Sequence, residues 1–308
     1  EDNDFLIIEL GGTVGDIEGL PFMEAIRSIR HELPKTNTMN IHLSLVPYIK
    51  AAGELKTKPT QHSVQELRRI GITPHMLVCR TERELPKALK DKLALACDID
   101  RNAVIEAGDA QSIYQVPLQF IKEGILTPLS EHFNIKIKPN MEKWDTLVKN
   151  ILLPQGEVTI AFVGKYLDLK ESYKSLIEAL IHAGAHLSTK VNIHWCDSER
   201  IEDVGAYDII GNSDAILVAG GFGQRGVNGK LAAIKYAREN KIPYLGICLG
   251  MQLAIIEIEK NVLGLEDANS IEFDPNTKNP LIYLIDEFID QSGNKQIRTH
   301  ESPMGGTM

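Results

Sequence analysis

Short apolar runs alternate with amphipathic ones along almost the whole chain, and no other feature restricts its fold as much. Phe5-Leu6-Ile7-Ile8 and Met76-Leu77-Val78 are uninterrupted apolar stretches of strand length, the pattern of a strand covered on both faces. Pro59 to Ile70 and Pro86 to Cys97 instead read as helices, each opening on a proline, which the first helical turn tolerates. Strands alternating with helices imply a parallel sheet covered by helices, hence an α/β fold. Between Pro128 and Gly156 the pattern gives way to a proline-punctuated stretch around one expected helix, Asn140 to Leu152, which contains Trp144. A second series follows, with strands expected at Val158 to Val163, Ala215 to Ala219 and Ile242 to Ile247, and a helix at Ser172 to His182. The expectation is two doubly wound, mostly parallel-sheet domains, over residues 1–138 and 157–308, joined by a connection over 139–156.

At 308 residues and 43% hydrophobic, the chain can bury a substantial core. No stretch approaches the roughly 18 apolar residues of a spanning helix, and Glu1-Asp2-Asn3-Asp4 lacks the basic and apolar regions of a secretory signal. A cytoplasmic location without a membrane partner is therefore expected. The net charge of −9 disfavours nucleic acid as a partner, because its backbone rewards clustered Lys and Arg. Cys79, Cys97, Cys196 and Cys248 lie far apart and form no C-x-x-C pair, which argues against a disulfide framework and a structural zinc site. The chain opens almost directly in an apolar strand and closes in Gly305-Gly306-Thr307-Met308, so both ends are expected to be cuts in a longer protein.

Gly246-Ile247-Cys248-Leu249-Gly250 is the cysteine form of a strand–turn–helix nucleophile elbow, whose small flanking residues permit a strained turn. A strand precedes it at Ile242 to Leu245 and a helix is expected from Met251 to Ile258. Backbone N–H groups and the dipole at that helix start favour the thiolate, the nucleophilic form. Upstream, Ala219-Gly220-Gly221-Phe222-Gly223 follows an apolar strand. Its glycines let main-chain N–H groups converge with that of Leu249 on a developing oxyanion.

In the first half, Glu9 ends the apolar run and leads into Gly11-Gly12-Thr13-Val14-Gly15-Asp16-Ile17-Glu18. Open α/β sheets bind ligands beyond the carboxyl ends of their strands, and a carboxylate there suits Mg²⁺. Lys56 and Lys58 stand just before an expected helix start with Pro59 in its first turn, a combination that suits phosphate. The sequence contains no G-x-x-x-x-G-K-[ST] loop.

Taken together, these motifs resemble one family closely. The Gly-Gly-Phe-Gly turn, G-I-C-L-G-M-Q and Asn269-Ser270-Ile271-Glu272-Phe273 resemble the class I glutaminase domain of CTP synthases, and GGTVGDIE followed by KTKPTQHSV resembles their synthetase domain. The resemblance covers nearly the whole chain, and implies a P-loop-type amidoligase domain followed by a glutaminase domain. It implies that Cys248 attacks the glutamine side-chain amide, that Gly221, Leu249, Gly250, Met251 and Gln252 line the site, and that Glu272 holds the substrate α-amino group. It implies Glu9 as a magnesium ligand. A shared site for UTP and inhibitory CTP would comprise Asp16, Ile17, Glu18, Lys56, Thr57, Lys58, Pro59, Thr60, Gln61 and Lys92. Arg80, Gly108, Asp109 and Ala110 would lie near ATP, and Arg225 near the activator GTP. A homotetramer is implied as well.

The same resemblance implies a basic His with an orienting Glu near the family's C-terminus, and a phosphate loop with a second metal-binding Asp near its N-terminus. This sequence shows neither. His300-Glu301 lacks the family's His-x-Glu pattern, and the chain as it stands is expected to be inactive in the full reaction. Two histidine features read as structural: His182 and His186 as a helix end and its exit loop, with Gly184 expected to end the helix between them, and His194 with Cys196 as packing on one strand face.

Overall fold

The computed structural model describes residues 3–165, 167–283, 287–289 and 295–297. The chain divides into two compact units, Glu1–Leu152 and Leu153–Met308. Each is an α/β unit built on a parallel sheet.

The first unit's sheet runs Ile41–Leu45, Met76–Thr81, Val104–Gly108, all parallel. Its middle strand has the apolar run of a doubly covered strand, and Met76, Leu77 and Cys79 are fully buried. Helices Lys58–Arg69 and Lys87–Cys97 pack on it, contributing Val64, Leu93, Ala94 and Cys97 to the core. Helix Glu142–Leu152 also belongs to this unit. Trp144 Nε1 donates to the Tyr114 carbonyl at 2.8 Å, which ties down the helix expected in the connection.

One expected strand differs. Phe5 to Ile8 forms no strand: no ladder among the described residues includes it, and Ile7 is 92% exposed. Apolar character gives a segment a strand-like pattern, but a strand exists only where another backbone pairs with it. Glu9 lies in this exposed stretch.

In the second unit the sheet order is Thr189–Asp197, Gly156–Gly164, Ala215–Val218, Tyr244–Gly246, again all parallel. Phe162 is fully buried at its centre, 4.9 Å from the Tyr173 ring and 4.8 Å from the Trp195 ring. The helix expected over Ser172 to His182 is instead a 3-10 segment, Leu167–Tyr173, followed by an α-helix, Lys174–His186. Gly184 therefore lies inside the helix. A Cβ there would sit 2.4 Å from the Thr189 carbonyl oxygen, so this glycine permits close helix-to-strand packing rather than ending the helix. His182 and His186 share that helix, but no group of three or more His, Cys, Asp or Glu positioned for a metal occurs among the described residues. Cys196 is fully buried, whereas His194 is exposed and meets Ser213 Oγ at 3.4 Å.

Among the described residues no helix is long and apolar enough to cross a membrane.

Candidate functional site

Three loops at the carboxyl ends of adjacent strands meet in the second unit. The strand Gly156–Gly164 ends at Lys165, its neighbour Ala215–Val218 at the glycine turn, and Tyr244–Gly246 at Cys248. Backbone bonds hold the ends in step: Ala219 N donates to Val163 O and Ile247 N to Val218 O, both at 3.0 Å.

Cys248 sits at the N-cap of helix Leu249–Asn261 with φ 53° and ψ −110°. A non-glycine residue at such angles carries strain of about 1–3 kcal/mol, which the surroundings must impose. Three glycines impose it. A Cβ on Gly246 would lie 2.6 Å from Gly250 C and Met251 N, one on Gly250 would lie 2.1 Å from Val218 O, and one on Gly220 would lie 3.2 Å from Cys248 Cβ. Every one of these obstacles is backbone or the nucleophile itself, so none can rotate aside. Tyr244 Oη adds a 2.7 Å bond to the Gly250 carbonyl.

Of the four cysteines, Cys248 alone is exposed. Burial pushes the thiols of Cys79 and Cys196 up to about 12 and that of Cys97 upward as well. Their environments suit packing, not nucleophilic chemistry.

The other residues expected around Cys248 divide by what they expose. Leu249 and Gly250 are buried, so Leu249 offers only its N–H, which at a helix start has no preceding helical carbonyl to bond. Met251 is exposed and Gln252 half-buried. Gly221 has φ 152°, which favours glycine. Glu272 Oε1 accepts from Gly223 N at 2.8 Å, and Gln224 Nε2 donates to Phe273 O at 2.8 Å, so the Asn269 to Phe273 segment is bonded to the glycine turn. Arg225 pairs with Glu199 at 2.7 Å. His300 and Glu301 lie outside the described residues.

Sequence reading missed two lysines. Lys165 is 3% exposed and donates to Phe222 O, while its own carbonyl accepts from Tyr173 Oη. Lys230 is fully buried, and its Nζ donates to Ala219 O at 3.0 Å and Gly220 O at 3.4 Å. Burial, then the nearby Lys165 charge, push the Lys230 ammonium down from 10.5 to about 8, against an opposing pull from Cys248. A signal existed: Lys230 lies in register with Ala233, Ile234 and Ala237, the buried stripe of helix Val227–Glu239.

In the first unit, Lys56, Lys58 and Pro59 are exposed at the start of helix Lys58–Arg69, whereas Thr57, Thr60 and Gln61 are buried. Thr60 Oγ1 donates to Leu45 O at 3.2 Å and Gln61 Nε2 to Thr57 Oγ1 at 3.2 Å. Those three side chains therefore shape the loop from within. Glu54 pairs with Lys56, and with further help from Lys92 its carboxyl is held below the usual range. The exposed cations Lys56 and Lys92 thus share Glu54 as a neighbour. Arg80 and Asp109 stand 3.8 Å apart at the ends of adjacent strands, with Gly108 and Ala110 beside Asp109. Asp16 Oδ2 accepts from Thr13 N at 3.1 Å inside the glycine loop, and Ile17 and Glu18 are exposed.

Comparison with known proteins finds two families along the chain. Residues 1–135 match the family described as CTP synthase N-terminus, and residues 168–305 match glutamine amidotransferase class-I. CTP synthase of Nautilia profundicola is 68% identical over 312 residues, covering 100% of this chain and 57% of that protein. CTP synthase of Wolinella succinogenes is 67% identical, covering 100% of this chain and 56% of that protein. The chain therefore spans little more than half the length of these curated relatives. Among solved structures, the glutaminase domain of Trypanosoma brucei CTPS with bound acivicin is 43% identical, with a TM-score of 0.40 over 42% of this chain and 50% of that one. That score is too low to inform the fold.

Proposed function

This chain belongs to the CTP synthase family, and from that premise we propose that its parent protein makes CTP from UTP with ammonia drawn from glutamine. The observation that best supports the glutaminase half is Cys248 itself, exposed, strained at φ 53°, and walled by three glycines that leave no room for a side chain. The thiolate attacks the carbonyl carbon of the glutamine side-chain amide. The oxygen takes the negative charge, facing the N–H groups of the Gly220-Gly221 turn and of Leu249. Collapse breaks the C–N bond and releases ammonia, and water then hydrolyses the thioester to glutamate. Met251 and Gln252 border the substrate, and Glu272 receives its α-amino group. The base that moves the protons is not identified by the described residues.

In the first unit, Lys56, Lys58 and Lys92 receive the phosphates of UTP and, in competition, of CTP, beside the loop of Asp16, Ile17 and Glu18. Arg80 and the Gly108 to Ala110 turn border ATP, which phosphorylates the 4-oxygen of UTP. Ammonia displaces that phosphate. Glu9 is the proposed magnesium ligand, a lone carboxylate of the kind that leaves most of the coordination to phosphates and water. Mg²⁺ there would neutralise phosphate charge. Arg225 is the proposed contact for GTP, and a cytoplasmic homotetramer is the proposed state.

The test is Cys248→Ala in the full-length protein. Glutamine-dependent CTP formation should vanish while ammonia-dependent formation persists near the wild-type rate, since only ammonia release needs the thiolate. Equal loss of both would remove Cys248 from the role assigned here.

A further inference from the structure

We propose that Lys230 is a positioning residue for glutamine hydrolysis: its buried ammonium grips the Ala219 and Gly220 carbonyls and thereby aims the N–H groups of Gly220 and Gly221 at the oxyanion formed on Cys248. This inference rests on the glutaminase reading above.

The argument is one of peptide geometry. In a trans peptide the C=O of one residue and the N–H of the next point in opposite directions, and no cis bond occurs among the described residues. Lys230 Nζ donates to Ala219 O at 3.0 Å, so Gly220 N–H turns away from it. The same amine meets Gly220 O at 3.4 Å, so Gly221 N–H does likewise. Gly220 itself rests against the nucleophile, with its Cβ position 3.2 Å from Cys248 Cβ and 3.9 Å from Sγ. Two consecutive glycines have the freest backbone in any chain, and without a clamp these peptide planes could turn over at little cost. The clamp is rigid because Lys230 is fully buried on a helix packed against the sheet. Lys165 extends it by donating to the Phe222 carbonyl one residue beyond Gly221, and both lysines lie against the Gly221 Cβ position, Lys165 Cε at 3.2 Å and Lys230 Nζ at 3.6 Å.

Burying an ammonium is unfavourable. A methionine of similar length would fill the same space without that cost, so stability alone gives no reason for a lysine here. Two aimed peptide planes beside a nucleophile give one.

The experiment compares wild type with Lys230→Met in the full-length protein. Two rates are read: glutamine hydrolysis at saturating nucleotides, and alkylation of Cys248 by iodoacetamide, a displacement at carbon that generates no oxyanion. Loss of one oxyanion donor costs about 10²–10³-fold in kcat. Lys230→Met should therefore lower glutaminase kcat by roughly 30- to 300-fold, with KM for glutamine and the limiting alkylation rate at high pH changing less than about threefold. A kcat within threefold of wild type overturns the proposal. So does a parallel fall in alkylation, which would mean that Lys230 merely holds the elbow together. If the methionine variant does not fold, Lys230→Gln, which keeps an N–H donor on a shorter stem, carries the same comparison. A wild-type protein without glutaminase activity would instead defeat the reading on which this rests, before any variant is tested.

Discussion

Adding one methyl group at Gly250 should disable glutamine hydrolysis without unfolding the protein. In Gly250→Ala the new Cβ would stand 2.1 Å from Val218 O, 2.9 Å from Val218 C and 3.2 Å from Val218 Cβ. Cβ atoms do not approach other heavy atoms closer than 3.0 Å, so the helix start and the strand end must separate by 3.0 − 2.1 = 0.9 Å. Val218 O cannot swing aside, because it accepts from Ile247 N at 3.0 Å within the same elbow. Cys248 moves with the helix it caps. Overpacking of this kind costs about 1–3 kcal/mol, which a unit of this size can absorb. A misplacement near 1 Å at reacting groups costs on the order of 10²-fold in rate. Steady-state glutaminase assays on the full-length protein should show kcat down roughly 100-fold, with the urea unfolding midpoint lowered but the transition still cooperative. Gly156→Ala is the control, since nothing lies within 4 Å of its Cβ position. Glutaminase activity within threefold of wild type in a folded Gly250→Ala would refute the claim that glycine is sterically required at the elbow.

Three further outcomes are expected. Glu257 is 1% exposed and receives Arg238 Nε and Nη2 at 2.8–3.1 Å; Arg238→Met should lower the urea unfolding midpoint by leaving a buried carboxylate with only its Asn261 bond, and Arg238→Met/Glu257→Leu should recover most of the loss. No recovery in the double variant would mean that packing, not charge, sets the cost. Lys230 loses its proton near pH 8 when folded and near 10.5 when unfolded, so between those values the unfolded state binds more protons and stability rises with pH. Relative to Lys230→Met, wild type should gain ~2.4 kcal/mol from pH 7.5 to 10, and parallel unfolding curves would contradict this. Lys56→Ala should raise the half-saturating UTP concentration and the CTP inhibition constant together by roughly fivefold, since exposed charge contacts are worth about 1 kcal/mol; unchanged values for both would leave this loop without a nucleotide.

Much of the fold was legible because apolar runs and proline starts are local signals. Met76 to Val78, Lys58 to Arg69 and the strands flanking the elbow all form where their patterns place them. Phe5 to Ile8 was misleading because pairing is a tertiary property that a run of apolar residues does not contain. Gly184 was misread for a related reason: a glycine that ends a helix and one that lets a strand approach it look alike until the Thr189 carbonyl is seen beside it. The strained turn at Cys248 was legible from its flanking glycines. Lys165 and Lys230 were not sought, because a lysine is ordinarily a surface residue, and only the register of Lys230 with Ala233, Ile234 and Ala237 marked it as turned inward.

The chain has two tryptophans, and the fold gives one to each unit: Trp144 bonded to the Tyr114 carbonyl in the first, Trp195 against Phe162 and beneath Lys170 in the second. Intrinsic fluorescence can therefore follow each half of the molecule separately. With Trp144→Phe the emission comes from the second unit alone, and with Trp195→Phe from the first unit alone. Coincident denaturation profiles from the two variants would identify a single cooperative transition, and separated profiles would assign each unit its own. Nucleotide added during such a titration should then shift the Trp144 profile directly and the Trp195 profile only as far as the two halves are thermodynamically coupled.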